Sequence, residues 1–180
     1  TTVIGQAEAI ICHDIDSADI YREVEVIHDS SLHLLALLND ILDLTKIEEN
    51  KFELELHSKD LHELLENIDS MFKIQAKSKG LYFEHTKHLP IPFVVNIDSL
   101  RVKQILINLC SNAIKFTQEG YIVLDVMTAD NQLIITITDT GIGMDEEQTK
   151  QAFESFTQAD PSISRKFGGT GLGLSLSKSL

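Results

Sequence analysis

The sequence predicts an α+β protein in which a helical N-terminal arm precedes a domain of mixed helices and strands. Before about residue 50 the apolar residues recur at three- and four-residue steps, which is the spacing of amphipathic helices. After that point, short alternating segments and helical segments follow one another. We therefore expect two domains, residues 1–50 and 51–180. With 180 residues, 43% of them apolar, the chain is long enough to bury a substantial core.

The arm contains two helical patterns, a short one from Thr2 to Cys12 and a much longer one that ends at the polar segment Lys46–Asn50. The longer pattern carries a heptad seam, widened by Leu35 and Leu42, that consists of Ile20, Val24, Ile27, Ser31, Leu34, Leu38, Ile41 and Thr45. A long helix with one such seam needs a partner, so we expect a helical hairpin that forms a homodimer as a four-helix bundle. Packing against its own domain is the weaker alternative, because few other helices are available to cover the seam.

The second domain is predicted to begin with a strand at Phe52–Leu56, where apolar and polar residues alternate strictly. Helical spacing then predicts a helix at Leu61–Ala76 that ends with Lys79-Gly80 as its C-cap. The remaining elements are predicted in this order: strands Leu81–Glu84 and Phe93–Ile97, a helix from about Ser99 to Phe116 with Asp98 as N-cap, and strands Tyr121–Met127 and Leu133–Thr138 joined by a turn at Asp130-Asn131.

The helix predicted at 99–116 has two distinct faces. Its apolar stripe consists of Val102, Ile105, Leu106, Leu109, Ala113 and Phe116. A polar ridge with the same spacing consists of Arg101, Gln104, Asn108, Asn112 and Lys115. Two carboxamides and a lysine one turn apart suit a metal–phosphate group, whereas the alternative is an ordinary solvated face.

Two glycine-containing segments downstream favour a ligand at this ridge. Asp139 lies at a strand end and is followed by Gly141 and Gly143, so a carboxylate stands beside backbone that a ligand can approach closely. Such a carboxylate can accept a hydrogen bond from an exocyclic amine such as that of adenine, although this pattern alone is more often a turn. Gly168–Leu174 leads into a helical pattern at Ser175–Leu180, and glycines before a helix expose amides that can hold phosphate. Its spacing fits neither the Walker nor the dinucleotide fingerprint, and a glycine hinge is the alternative.

The segment Met144–Lys166 is long, polar and poorly periodic, which is typical of a lid or a binding loop. We expect Phe153 and Phe156 to attach it to the core. Arg165 and Lys166 close the segment and are the only adjacent cations in that half of the chain. A solvated pair of surface cations is the alternative interpretation.

The net charge of −13 argues against a nucleic-acid partner or an anionic membrane surface, because the long-range field repels phosphate. Any phosphate ligand must therefore be held by local groups. Cys12 and Cys110 both fall on apolar helix faces, and we interpret them as core residues rather than as a disulfide. The sequence contains no apolar run long enough to span a bilayer and no visible signal peptide. We expect a cytoplasmic segment without direct membrane contact, and anchoring of a longer parent in the inner membrane stays open.

Four of these motifs, in this order, resemble the sensor histidine kinases. The resemblance covers nearly the whole chain and consists of an N box at Asn108–Thr117, a first glycine box at Asp139–Gly143, an F box at Phe153–Phe156 and a second glycine box at Gly169–Leu174. Asn39–Glu48 resembles the end of the second helix in the family's dimerisation arm. The residues at Gln158–Asp160 and Arg165–Gly169 resemble those of the hybrid-type kinases most closely.

This resemblance implies a two-layer α/β sandwich that binds ATP with Mg²⁺ and phosphorylates a histidine of the dimerisation arm, for relay to the receiver domain of a response regulator. It implies that Asn112 ligates magnesium, that Asn108 occupies the base or water-orienting position, and that Lys115 contacts phosphate. Asp139 would hold the adenine amine, and Arg165 would approach the γ-phosphate. The remaining implied nucleotide contacts are Gly141, Gly143, Gly169, Thr170, Gly171, Leu172 and Gly173.

The chain departs from the family pattern at the phosphate acceptor. The His-Glu/Asp-x-Arg-Thr-Pro box is absent, and Thr1–Glu8 resembles the residues that follow it, so we expect the acceptor upstream of Thr1. His13 and His28 each precede an aspartate but lack the Arg-Thr-Pro, and we interpret both as surface histidines. The chain also stops at Leu180, before the family's closing strand.

Three alternatives remain at this point. ATP-hydrolysing clamps of the same superfamily, such as the gyrase and heat-shock ATPases, use a glutamate at the first N-box position as general base, where this chain has Asn108. A kinase-like module could dimerise without phosphorylating. An α+β domain that binds no nucleotide is disfavoured by four ordered motifs.

Overall fold

A computed structural model describes residues 2–11, 19–154 and 171–180 of the chain. The chain divides into two compact units, Thr1–Phe52 and Glu53–Leu180. None of the described helices has the length and apolar character needed to cross a membrane.

The first unit is a pair of helices that contact each other, α1 (Thr2–Ile11) and α2 (Ile20–Glu48). The pair confirms the predicted helical hairpin, although Cys12 and His13 lie outside the described residues. His28 is a surface residue as predicted, with its Nδ1 atom 3.3 Å from Oδ1 of the neighbouring Asp29. Along α2 the members of the heptad seam from Leu34 to Leu42 expose 43–65% of their surface. This part of the seam is therefore exposed in the described part of the chain.

The second unit contains five strands and four helices in its described part. In chain order they are β1 (His57–Asp60), α3 (Leu61–Ser78), β2 (Tyr82–His88), β3 (Val94–Ile97), α4 (Ser99–Phe116), β4 (Tyr121–Ala129), β5 (Gln132–Asp139), α5 (Glu146–Ala152) and α6 (Gly173–Ser179). β1 and β3 form an antiparallel pair. β2, β4 and β5 form a second sheet, in which β4 lies parallel to β2 and antiparallel to β5.

The core lies between the second sheet and the helices α3 and α4. Alternate residues of β4 are fully buried, as expected for a strand with one face against the helices. The fully buried side chains of this core are Leu61, Leu65, Ile68, Phe72, Ala76, Cys110, Ile122, Leu124 and Val126. This arrangement confirms the predicted α+β fold with one helical and one sheet layer.

Cys110 is a core residue, as predicted. Its thiol is free and completely buried on the core-facing side of α4, and burial raises the pKa of the thiol to about 12. A thiol with so high a pKa is protonated and unreactive at neutral pH.

Local signals explain where the best-predicted elements begin and end. Asp98 accepts hydrogen bonds from the amides of Leu100 and Arg101 at 3.1 and 3.2 Å, so it is the N-cap of α4. The β4–β5 turn has φ angles of +50° at Asp130 and +62° at Asn131. A two-residue hairpin turn needs positive φ at both positions, which aspartate and asparagine tolerate better than most residues.

The strand predicted at Phe52–Leu56 is wrong, because β1 begins only at His57. Leu54 and Leu56 expose 48% and 51% of their surface, so this segment has no buried face. The start of β1 at His57 follows from its partner strand, β3. The residue paired with His57 is Ile97, and the next residue, Asp98, already caps α4 and accepts the Glu55 amide with its other carboxylate oxygen at 3.1 Å.

Two further elements differ from the prediction. β2 runs to His88 rather than Glu84, because it pairs residue for residue with β4 as far as Met127. The polar segment after Met144 contains the helix α5, which begins with a capping box of Asp145 and Gln148. Phe153 at the end of α5 is 40% exposed and does not belong to the described core, and Phe156 lies outside the described residues.

Candidate functional site

The polar ridge of α4 forms a half-buried surface that contacts α6. All five ridge residues are partly buried, so the ridge is not an ordinary solvated face. The Asn108 Nδ2 donates a hydrogen bond to the Ser177 hydroxyl at 2.9 Å. The Asn112 Nδ2 in turn donates to the Asn108 Oδ1 at 3.3 Å. The two carboxamides thus form a short hydrogen-bonded series that begins on α6 and runs along α4.

Gly173 allows α6 to approach α4 this closely. A Cβ atom at this position would lie 2.2 Å from the Asn108 Oδ1, far inside van der Waals contact. Any other residue at 173 would therefore displace either the helix or the Asn108 side chain. The absence of a side chain at Gly173 is therefore what lets α6 pack against Asn108 of α4.

The Asp139 loop is tied to the C-terminal end of α4. The Gly141 amide donates to the Asp139 Oδ1 at 2.9 Å, and the Ile142 amide donates to the Phe116 carbonyl at 3.4 Å. A Cβ at position 141 would lie 2.8 Å from the Phe116 carbonyl oxygen, so glycine is required for this approach. Gly143 has φ of +65°, a left-handed conformation that glycine adopts without strain. Asp139 is exposed and its Oδ2 has no hydrogen bond to the described residues, which leaves this oxygen free to accept one from a ligand.

Lys115 lies in the last turn of α4 and is partly desolvated. Burial lowers the pKa of its ammonium group, and its Nζ lies 4.8 Å from the centre of the Phe116 ring. A half-buried cation in the last turn of α4 is suited to an anionic ligand, because water screens it less than a fully exposed one.

Some predicted site residues lie outside the described part of the chain, namely Arg165, Gly169 and Thr170. Gly171 has a left-handed φ of +71°. Leu172 is 2% exposed as a whole residue, so this predicted nucleotide contact presents almost no surface to a ligand here. The structure therefore brings Asn108, Asn112 and Gly173 together and places Asp139, Gly141 and Lys115 around the end of the same helix.

Two residues of the site were not predicted. Ser177 binds Asn108, and the sequence gave no signal for this contact because the two residues lie on different helices. Lys79 at the end of α3 donates from its ammonium group to the carbonyls of Ile114, Lys115 and Thr117 at the end of α4. Its sequence position gave no signal beyond a C-cap.

The side chains of the ridge limit what kind of metal ion it could bind. The described residues contain no cluster of three or more His, Cys, Asp or Glu side chains that could hold a metal ion. The oxygens available at the ridge are those of neutral carboxamides. Such a site can supply one or two ligands to a magnesium ion whose other ligands are phosphate oxygens and water.

Comparison with known proteins gives a consistent result. Residues 97–180 match the model of the histidine kinase-, DNA gyrase B-, and HSP90-like ATPase family. The chain is 35% identical to the autoinducer 2 sensor kinase/phosphatase LuxQ of Vibrio vulnificus over 99% of its length, which is 21% of that relative. It is 42% identical to the hybrid signal transduction histidine kinase K of Dictyostelium discoideum over 79% of its length, or 13% of the relative. The chain therefore spans a small part of the relatives it matches.

Among solved structures, the full-length ShkA protein in complex with AMPPNP superimposes with a TM-score of 0.75 and 27% identity, over 99% of this chain and 37% of that one. The catalytic domain of the histidine kinase ThkA matches with a TM-score of 0.59 and 26% identity, over 69% of this chain and 78% of that one. The fold is thus shared with these proteins.

Proposed function

Residues 97–180 belong to the histidine kinase-, DNA gyrase B-, and HSP90-like ATPase family, and on this basis we propose that the chain is the catalytic region of a hybrid-type sensor histidine kinase. In this proposal the region binds Mg-ATP and transfers the γ-phosphoryl group to a histidine of the dimerisation arm. A receiver domain of a response regulator would then accept the group on an aspartate.

The observation that carries the proposal is the hydrogen-bonded series of Ser177, Asn108 and Asn112 beside Gly173. The series turns both carboxamides into defined positions on one face of α4. Because the Asn112 Nδ2 donates to Asn108, the Asn112 Oδ1 is the atom left for a ligand. Magnesium prefers oxygen ligands, so the Asn112 Oδ1 fits the metal, and the bound ion would neutralise charge on the phosphate oxygens.

The other residues would act by binding and orientation. We propose that Asp139 accepts the adenine amine through its free carboxylate oxygen, while Gly141 and Gly143 allow the base to approach the backbone. Lys115 would pair with phosphate. Phosphoryl transfer depends mainly on positioning and charge neutralisation, so these roles require no covalent step on the domain itself. Arg165 and the glycine box at Gly169–Gly173 would close over the phosphates.

Hydrolysis is the competing activity within this family, and the geometry at Asn108 argues against it. A hydrolase needs a general base to take a proton from water. The Asn108 carboxamide is not basic, and its nitrogen and oxygen already bind Ser177 and Asn112 respectively. Transfer to a side-chain acceptor therefore fits the site better. We propose that this acceptor lies on the arm, upstream of Thr1.

A second copy of the chain is the proposed partner of the arm. The exposed seam of α2 presents Leu34, Leu35, Leu38, Ile41 and Leu42, all more than 40% exposed. A row of exposed large apolar residues along a long helix is typical of a helix–helix interface. Covering this row by the same row of a second copy would complete a four-helix bundle.

The role of Asn112 is tested by nucleotide binding to the 180-residue chain. Calorimetric titration with AMPPNP, with Mg²⁺ and with EDTA, separates the metal-dependent part of the affinity. We expect Asn112→Ala to lose most of the gain from Mg²⁺ while the thermal stability stays unchanged. Ser111→Ala, an exposed neighbour on the same helix, is the matched control. Equal magnesium dependence in Asn112→Ala and the unaltered chain would contradict the assignment.

The reaction itself is tested in the full-length protein with γ-labelled ATP. Protein-bound label that is labile in acid and stable in base would indicate phosphohistidine and support the kinase. Release of free phosphate without protein label would indicate a hydrolase. Binding without either product would indicate a non-catalytic module. Transfer of label to a purified receiver domain would test the relay step.

A further inference from the structure

We propose that Ser177 is a positioning residue for the magnesium ligand Asn112, acting through Asn108. This inference rests on the proposed function, because it assigns a task to the hydroxyl that binds the second carboxamide of the site. The juxtaposition that carries it is the hydroxyl–carboxamide–carboxamide series that joins α6 to α4.

The donors and acceptors of this series run in one order, from Asn112 through Asn108 to Ser177. A carboxamide has one donating nitrogen and one accepting oxygen. The Ser177 hydroxyl accepts from the Asn108 Nδ2 at 2.9 Å, so the Asn108 Oδ1 faces the other way. That oxygen accepts from the Asn112 Nδ2 at 3.3 Å. The Asn112 Oδ1 then points away from Asn108, which is the orientation that a metal ligand requires.

Ser177 differs from the two other serines of α6 in what its hydroxyl contacts. The Ser175 hydroxyl donates to the Leu172 carbonyl at 2.9 Å, and the Ser179 hydroxyl donates to the Ser175 carbonyl at 3.0 Å. Both of these bonds stay within α6 and its N-cap residue, Leu172. Ser177 is the serine of this helix whose hydroxyl reaches α4. Its loss would therefore affect the site rather than the local helix.

Close packing by Gly173 makes the orientation of Asn108 sensitive to Ser177. The Asn108 Oδ1 lies where a Cβ of residue 173 would be, so the carboxamide stands against bare backbone with little room. Without the Ser177 hydroxyl, the Asn108 nitrogen loses its acceptor, and a half-turn of the carboxamide directs this nitrogen at Asn112. Two facing nitrogens cannot bond, so Asn112 must turn its oxygen inward. The oxygen proposed to bind magnesium is then no longer available.

The experiment compares Ser177→Ala with Ser179→Ala, a matched loss of hydroxyl on the same helix, and with Ser177→Thr, which keeps a hydroxyl. AMPPNP binding to each 180-residue chain is measured against Mg²⁺ concentration and again in EDTA. Loss of a residue that orients a metal ligand costs about 10- to 100-fold in metal affinity. We expect Ser177→Ala to need about tenfold more Mg²⁺ for half-maximal enhancement, with unchanged affinity in EDTA. Ser179→Ala and Ser177→Thr should match the unaltered chain.

A second measurement needs neither metal nor nucleotide. Side-chain amide resonances of Asn108 and Asn112 in ¹H–¹⁵N spectra of the ligand-free chain should shift in Ser177→Ala and stay in place in Ser179→Ala. Unchanged resonances, or an unchanged magnesium dependence in folded Ser177→Ala, would overturn the inference. Absence of any magnesium effect in the unaltered chain would instead contradict the proposed function. The amide spectra would still decide whether Ser177 orients the carboxamides.

Discussion

Lys79 links the end of α3 to the end of α4. Its substitution tests how much this link contributes to the stability of the domain. It follows the last turn of α3, and its ammonium group donates to the carbonyls of Ile114, Lys115 and Thr117. The last carbonyls of a helix have no partner within the helix and carry the negative end of its dipole. All three N–H donors of Lys79 are therefore used at the one place where α4 most needs a cation.

Replacing Lys79 by methionine keeps much of the side-chain length and removes these bonds. Hydrogen bonds to a charged group contribute about 1.5–3 kcal/mol when buried, and a cation at a helix C-terminus contributes about 0.3–1 kcal/mol when exposed. Lys79 is itself exposed, and water can replace it at the freed carbonyls. We therefore expect Lys79→Met to lower the free energy of unfolding by about 1–2 kcal/mol.

Urea denaturation of the 180-residue chain measures this loss, and Lys77→Met is the matched control. Lys77 is an exposed lysine in the last turn of the same helix, and we expect its substitution to change stability by less than about 0.5 kcal/mol. Because the Phe116 carbonyl between these contacts accepts the Ile142 amide, Lys79→Met should also weaken AMPPNP binding. Equal stability of Lys79→Met and Lys77→Met would refute the reasoning.

Two further predictions concern a buried histidine and the exposed seam. Burial is the main cause that lowers the pKa of His85 from 6.5, so below pH 6.5 the unfolded chain binds a proton that the folded chain resists. The free energy of unfolding should therefore fall between pH 7.5 and 5.5, and His85→Gln should remove part of this fall in urea titrations while the exposed His88→Gln keeps it. Leu38→Glu should convert a dimer to a monomer in light scattering at micromolar concentration, whereas the neighbouring exposed Asn39→Glu should not. A Leu38→Glu chain that stays dimeric would exclude the seam as the interface.

The elements that could be predicted from sequence are those whose signals are local. α4 begins after Asp98 and ends at Phe116 as predicted, because the cap and the helical spacing lie within the segment itself. The β4–β5 turn was predicted for the same reason, since Asp130 and Asn131 tolerate the positive φ that the turn requires. The motif resemblance was equally local, and the family match over residues 97–180 confirms it.

The errors and omissions concern features that depend on distant residues. Alternation at Phe52–Leu56 predicts a strand, but a strand also needs a partner, and β3 has already ended where this segment would pair. Ser177 lies 69 positions from Asn108, so their contact depends on how α6 packs, which no spacing within either helix reveals. Lys79 similarly contacts carbonyls 35–38 positions away.

The helix α4 contributes side chains to both the core and the site, on different faces. Residues of the site can therefore be substituted without disturbing the core. Leu106 and Cys110 face the core and are at most 2% exposed, whereas Asn108 and Asn112 lie on the opposite ridge and bind α6 and each other. Removing a ridge carboxamide therefore leaves the packed face intact, while removing a core residue would disturb both. A net charge of −13 gives a nucleotide no long-range attraction, so in the proposed function binding depends on local groups such as this ridge and on the magnesium that Asn112 is proposed to bind. The magnesium dependence of nucleotide binding is therefore the most direct test of the proposed function.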